Sequence, residues 1–446
     1  MIKALIFYFI AFVESKHWGR IGLWVRSLSL VTLLLLDPFK ITTATDDASA
    51  DILNRVNSQY YSSKAQSEIV VVLIDDHYLS SNQLSWPLSY SQQSVLMRQI
   101  LRYEPKALFI DLLYTHDRST KDDTPRPLIN VFERYGKRIP IYVPQIKESA
   151  FSKQSFFAKT RPVVVQWQGH EHYYPSRIGN IDTPAFAMHR QFCEQNGNCN
   201  QPNSMPPIAV QWGMQLSKQQ NLLTNNIECL GNENPIIMAS KVLLSEVFWK
   251  LVPEWRQPCA YSITVPPSYL SATSKDERAL LSTIFKDKYV MLGALIQGAR
   301  DEVYSPVHGQ IAGVYLHAMA LDNLLTYHDE YFRPAPTIWR NIDLADITDC
   351  VLFLLVFMWR EKVSTNPKAP HAHAPRKRFI FYSALALLAL LFTTVVLFSY
   401  VFNFQPINWV AQLTLILSIV AIKIRLFAPL KKLLFYLKGF YQGEKL

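Results

Sequence analysis

No signature of a common catalytic apparatus occurs in this sequence. It has no phosphate-cradling GxxxxGKS/T loop, no GxSxG nucleophile elbow, no HExxH zinc helix and no GxGxxG dinucleotide turn. These absences argue against an enzyme: no catalytic residues are assigned and no cofactor is expected. Cysteine is scarce, with five in 446 residues and none in a CxxC pair. No histidine pair accompanies them, so zinc is disfavoured and no metal centre is expected. The middle of the chain also lacks a basic patch interleaved with aromatics. The formal net charge of +10 therefore does not point to nucleic acid.

What is present begins with apolar runs at both ends. Residues 2–13 are too short to cross a bilayer. Residues 21–36, followed by Asp37 and Pro38, read as a first transmembrane helix over 21–38, with Arg26 close enough to its cytoplasmic end to snorkel. A cleaved signal peptide, with Thr42-Thr43-Ala44 as a weak small-residue site, is the competing reading; an uncleaved anchor is favoured. Residues 343–359 form the weakest span. There Asp343, Asp346 and Asp349 recur every third residue on one helix face. Carboxylates inside a bilayer are costly and are functional by default. The alternative, which we favour, puts Asp343 and Asp346 in the headgroup zone with only Asp349 dipping in. Residues 379–402 are an unambiguous span and 409–426 the last.

Basic residues collect beside these runs, at Lys16 and Arg20, Arg360 and Lys362, Arg376 to Arg378, and from Lys423 to Lys438. That is the positive-inside pattern. It assigns 1–20, the loop 360–378 and the tail 427–446 to the cytoplasm, and the uncharged turn 403–408 and the whole middle region to the outside. After Pro429 the tail sets leucines opposite lysines, as an interfacial amphipathic helix does.

The middle, 46–329, is long enough to bury a core. Residues 46–63 read as a helix leading away from the membrane. The run 69–74, IVVVLI, is apolar at every position and suits a central parallel strand covered on both faces. It ends in Asp75-Asp76. A turn at Trp86-Pro87, a helical pattern through Val95, Leu96, Ile100 and Leu101, and a second strand at 107–110 ending in Asp111 complete a βαβ unit. Asp75 and Asp111 then fall at the carboxyl ends of adjacent strands, where ligands bind in open α/β sheets; capping of turns or helices is the other reading, and is favoured. Further strands are expected at 139–143, 163–167 and 208–212, and helices from 182 with Thr183 as cap and Pro184 first, and at 240–249. The region 254–267 reads as irregular. The stretch 288–325 reads as a strand (289–292), a glycine-bearing turn (293–298), a polar loop through Asp301 and a helix opening near Gly313 that carries His317. The expected fold is an α/β domain with a central, mostly parallel sheet, flanked by one N-terminal and three C-terminal transmembrane helices.

Four cysteines, Cys193, Cys199, Cys229 and Cys259, lie in this outside region, an even count that suggests disulfides. Of three pairings, Cys193–Cys199 with Cys229–Cys259 is favoured; Cys350 lies in a span as apolar packing. His170 and His172 flank Glu171, but alternation puts them on opposite faces of a strand. His371 and His373 lie in a cytoplasmic linker. The strongest cluster is Asp75, Asp111, Asp301 and His317, all expected at one end of the sheet. Such a set suits a cation or a polar small molecule. A structural network is the other reading, in which His317 bonds a loop backbone and Asp301 fixes a turn.

Three pieces resemble CHASE2, the extracytoplasmic sensory domain of bacterial transmembrane receptors: IVVVLIDDHYL (69–79) with Trp86-Pro87, ALFIDLLY (107–114), and the block 288–325 with Gly293, Asp301, Pro306, Gly313, His317 and Asn323. The resemblance covers about 46–327, and three following spans also fit. It implies a multi-pass protein of the bacterial inner membrane with its sensory domain in the periplasm, often a dimer. The family usually carries a basic residue shortly after the Trp-Pro turn; Ser89-Tyr90 stands there instead. Such receptors usually continue into a cyclase or kinase, whereas about 20 residues follow the last span here. The expected function is therefore a sensory, ligand-binding protein that signals through a separate membrane or cytoplasmic partner. The alternative is a structural or assembly subunit of an envelope complex that uses the domain as a protein-binding platform.

Overall fold

The computed structural model describes residues 19–37, 40–145, 157–166, 173–197, 205–223, 229, 234–247, 256–271, 274–299, 301–364 and 373–424. The chain divides into two compact units. One is Asp51–Pro334; the other joins Met1–Ala50 to Ala335–Leu446. Two helices come first, α1 (Gly19–Leu36) and α2 (Ile41–Asn57).

The Asp51–Pro334 unit is built on one parallel six-stranded sheet. Its strands are β1 (Ile69–Asp75), β2 (Ala107–Ile110), β3 (Ile141–Pro144), β4 (Arg161–Val163), β7 (Ile263–Val265) and β8 (Tyr289–Leu295), in the order β4-β3-β2-β8-β1-β7. A short hairpin, β5 (Arg177–Ile178) with β6 (Ile181–Asp182), falls between. The strands are apolar at successive positions because both faces are covered. On one face, Val70, Val72, Ile110, Val290 and Leu292 pack with the helices α4 (Tyr90–Leu101), α5 (Arg126–Tyr135) and α9 (Lys275–Phe285). On the other, Ile69, Val71, Phe109, Tyr289 and Met291 pack with α6 (Pro184–Asn196) and α10 (Val314–Tyr327). The remaining helices of the unit are α3 (Asp76–Ser81), α7 (Lys218–Leu223) and α8 (Pro235–Val247). Between β8 and α10 lies an antiparallel hairpin, β9 (Glu302–Ser305) with β10 (Gly309–Ala312).

Several elements depart from the sequence reading. β1 and β2 are not neighbours, because β8 inserts between them and pairs with both: Tyr289 is opposite Ile69 on one side and Ala107 on the other. β8 runs through Gly293 to Leu295, where a turn was expected. A Cβ on Gly293 would lie 2.4 Å from the Cβ of Val314, so glycine is what lets α10 lie against this strand. The region 254–267 contains the edge strand β7, too short to show a period. The strand expected at 208–212 is only a bridge from Ile208 to Tyr174. Its other amides are taken up elsewhere, Ala209 by Phe332 O, Gln211 by Asn323 Oδ1 and Trp212 by Asn54 Oδ1. The strand expected at 163–167 ends at Val163, since Val164 N–H turns to Asp182 O. Thr183 flanks α6, with Pro184 at its first position, but its hydroxyl donates to Pro175 O instead of capping.

In the second unit, α11 (Leu344–Ser364), α12 (His373–Val396) and α13 (Trp409–Ile424) follow a small hairpin, β11 (Thr337–Trp339) with β12 (Ile342–Asp343). Among the described residues, one helix, Arg378–Val401, is long and apolar enough to cross a membrane; Ser27–Leu36 and Trp409–Ala421 are shorter apolar helices. The acidic triplet has local partners. Asp343 and Asp346 exchange side-chain-to-amide bonds of 3.0 and 2.9 Å at the start of α11, a reciprocal cap. Asp349 accepts from Asn408 N–H at the start of α13 and from Gln412 Nε2 at 2.7 Å.

Cys229 and Cys259 are bonded, with Cα atoms 5.4 Å apart. Cys193 is also disulfide-bonded, and Cys199, its expected partner, lies outside the described residues, as do His170, His172 and His371. Cys350 is a buried free thiol.

Candidate functional site

The carboxyl edge of the sheet sets the site. β2 ends at Ile110, and Asp111 continues its ladder by donating its N–H to Leu292 O of β8 at 2.7 Å. The Asp111 side chain is thereby fixed at the strand end, 9% exposed. His317 enters from α10 and sits edge-on to Phe109 and Tyr174, with ring centroids 5.1 and 5.5 Å away.

Tyr174 anchors the His317 ring. The Tyr174 oxygen accepts from Ala185 N–H at 3.1 Å and lies 2.8 Å from His317 Nδ1, where either atom supplies the hydrogen according to the ring's tautomer. Nε2 faces Asp111 Oδ2 at 3.8 Å, too long for a hydrogen bond. Burial drives the His317 pKa down to about 3, so the ring is neutral.

Asp301 comes from the loop between β8 and β9. Gly313 N–H donates to its carbonyl at 2.9 Å. A Cβ on Gly313 would stand 2.7 Å from Asp301 Oδ1, so the glycine lets this carboxylate reach the start of α10. Burial raises the pKa of Asp111, and the charge of Asp301 raises it further; Asp301 is exposed by surface area, and partial desolvation raises its pKa too. Among the described residues, neither carboxylate has a donor within hydrogen-bonding distance.

These side chains open on a cavity of about 540 Å³. Asp111, Asp301 and His317 line it, with an apolar wall that includes Trp86, Leu88, Leu112 and Leu316, and with Arg118 and Gln166 among its polar members. Gln93 also lines it and is fixed at both ends, donating to Leu88 O and accepting from Tyr114 Oη. The Trp86-Pro87 peptide in the wall is cis. Ser89, where the family usually places a basic residue nearby, caps α4 reciprocally with Gln92.

Of the four residues singled out in the sequence, the fold brings Asp111, Asp301 and His317 together and leaves Asp75 out. Asp75 lies at the end of β1, beyond β8, where its carboxylate caps α3 by accepting from Tyr78 N–H at 2.7 Å. It is not among the cavity-lining residues. Tyr174, Gln93 and Arg118 escaped the sequence reading. Gln93 sits in a helical pattern and Arg118 in a polar loop, and neither carries a motif. Tyr174 reaches the site only because Ile208 bridges to it from a distant segment.

The CHASE2 domain family matches residues 27–359 of the chain. No curated protein and no solved structure matches it.

Proposed function

The chain belongs to the CHASE2 domain family, an extracytoplasmic sensory family, and on that premise we propose that it is a membrane-anchored sensor. In this reading it binds a small molecule between Asp111, Asp301 and His317 and passes the signal to a separate protein without catalysing a reaction. The observation that carries the reading is the cavity itself: a nine-tenths-buried carboxylate, Asp111, faces about 540 Å³ of space with no donor to satisfy it among the described residues. Burying such a group without a partner costs stability, and a ligand that supplies the partner recovers it.

The transmission route is α10. It carries His317 in the cavity and, further along, Asp322 and Asn323. Asp322 accepts from Tyr61 Oη at 2.7 Å, and Asn323 donates to the same oxygen at 2.8 Å. Tyr61 follows closely on α2, and Asn54 of α2 holds Trp212 N–H and Val210 O. A shift of α10 on binding would thus be felt by the helix that leads back to the first apolar segment. The proposed topology has four spans, at 21–38, 343–359, 379–402 and 409–426, in a bacterial inner membrane. The positive-inside distribution supports it, with the basic segments 360–378 and 427–446 facing the partner.

A second reading, a platform in an envelope complex, is favoured by one observation. α8 buries Met238 and Val242, yet leaves Ile236 68%, Ile237 53%, Leu243 44% and Leu244 50% exposed. Gentle detergent extraction from native membranes with mass spectrometry of co-purifying proteins separates the two. A sensor brings down a cyclase, a kinase or another signalling enzyme, and His317→Ala changes that enzyme's activity while the protein stays in the membrane. A platform brings down a stoichiometric envelope subunit that His317→Ala leaves in place.

A further inference from the structure

Among the described residues, nothing donates a hydrogen bond to the carboxylate of Asp111 or of Asp301. His317 cannot supply the missing charge, because its ring is buried and neutral. No ion pair joins Arg118 to either carboxylate among the described residues. An anionic ligand would meet two acids at the floor. A neutral alcohol would meet acceptors but bring one hydrogen and no charge. A primary ammonium brings three N–H donors and a full positive charge. The wall beside the acids is apolar and includes an indole, Trp86, with Leu112 and Leu316. Such a wall suits the hydrocarbon part of an amine and the face-on contact of a cation with an aromatic ring.

We propose that this cavity takes a small molecule bearing a primary ammonium group on a short apolar body, with the ammonium held between Asp111 and Asp301. The assignment rests on the sensory reading above and adds the ligand class to it. Two sources share that chemistry, a simple amine and a zwitterionic amino acid. Arg118, also at the cavity, separates them, because only the amino acid has a carboxylate for its guanidinium. Entry of the ammonium stabilises both carboxylates in ionised form, so the proton they retain in the empty site leaves to solvent. Binding is therefore linked to pH and tightens as pH rises.

The test is calorimetric titration of the full chain in detergent with butylamine, norvaline and butan-1-ol, each in two buffers of different ionisation enthalpy. The expected result is saturable binding of butylamine, norvaline or both. It should come with proton release and with affinity that rises from about pH 5 to about pH 8, while butan-1-ol shows no binding. Asp111→Asn should weaken binding by about 30-fold or more, as loss of a buried charge from a pair does, and the exposed Asp301→Asn should weaken it by a smaller factor, with melting curves showing that each variant is folded. Arg118→Ala should weaken norvaline alone if the ligand is an amino acid and neither compound if it is an amine. Equal binding of butan-1-ol and butylamine, or amine binding without proton release, overturns the ammonium assignment and leaves the sensory reading standing. Absence of binding by either amine overturns it as well; a thermal-shift screen of neutral and anionic compounds then decides whether the sensory reading falls with it. Should Asp111→Asn fail to fold, Asp301→Asn and the wild-type proton count still decide.

Discussion

The hydroxyl of Tyr174 ties Ala185 N–H of α6 to His317 Nδ1 of α10, so one atom fixes both a helix start and an imidazole. Tyr174→Phe keeps the ring stacking but leaves the Ala185 amide and Nδ1 without this partner. The expected cost is about 1–3 kcal/mol, read as a lowered denaturation midpoint, together with weaker ligand binding as the His317 ring loses this anchor. A second residue sets a pH dependence. Asp322 is 1% exposed and its pKa is raised by burial to about 7, against the pull of Tyr61 Oη. A carboxyl with a raised folded pKa binds its proton more tightly in the folded than in the unfolded chain. Its contribution to stability is therefore lost as pH rises from about 4 to about 7 and is constant above. Asp322→Asn should flatten that part of the curve; melting temperatures of the wild type and the variant at about pH 5 and about pH 8 measure it.

At the level of elements, the close approach of β8 and α10 at Gly293 and Val314 leaves no room for a larger residue. Gly293→Ala should destabilise the domain by about 1–3 kcal/mol, the cost of overpacking a filled core. Adding Val314→Ala should recover part of the loss, since Val314 supplies all three of the nearest atoms; a double-mutant cycle of denaturation midpoints tests the coupling. The same two elements show what a single sequence can reveal. β1, β2 and β8 were legible because a strand covered on both faces is apolar at every position, and α10 because its leucines recur at helical spacing. Their order in space was not, because nothing in IVVVLI or ALFI says that a strand some 180 residues later in the chain will part them. Asp111, Asp301 and His317 were legible as chemistry at one end of the sheet. Asp75 looked equivalent by the same rule, and only the placement of β8 separates a cavity residue from a helix cap. Gln93 and Tyr174 owe their roles to contacts across the chain that no local pattern encodes.

For the whole molecule, the Cys229–Cys259 bond joins residues 30 apart in sequence. Closing a loop of that size stabilises a fold by about 4 kcal/mol through the unfolded chain. Cys229→Ser should lower the melting temperature under oxidising conditions, part of the way to that of the reduced wild type, which also loses the bond of Cys193. The topology can be checked with reporter fusions: one joined after residue 330 should be active in the periplasm, and one joined within 365–370 in the cytoplasm.

The strand that parts β1 from β2 also governs how the domain is made. The facing edges of β1 and β2 stay unfilled until their shared partner arrives, although β2 already has β3 and β1 already has β7 to pair with. The sheet becomes continuous only when residues 289–295 slot between them. Until then it has two open inner edges, available for pairing with other unfinished copies. Its biogenesis is governed by the arrival of one seven-residue segment.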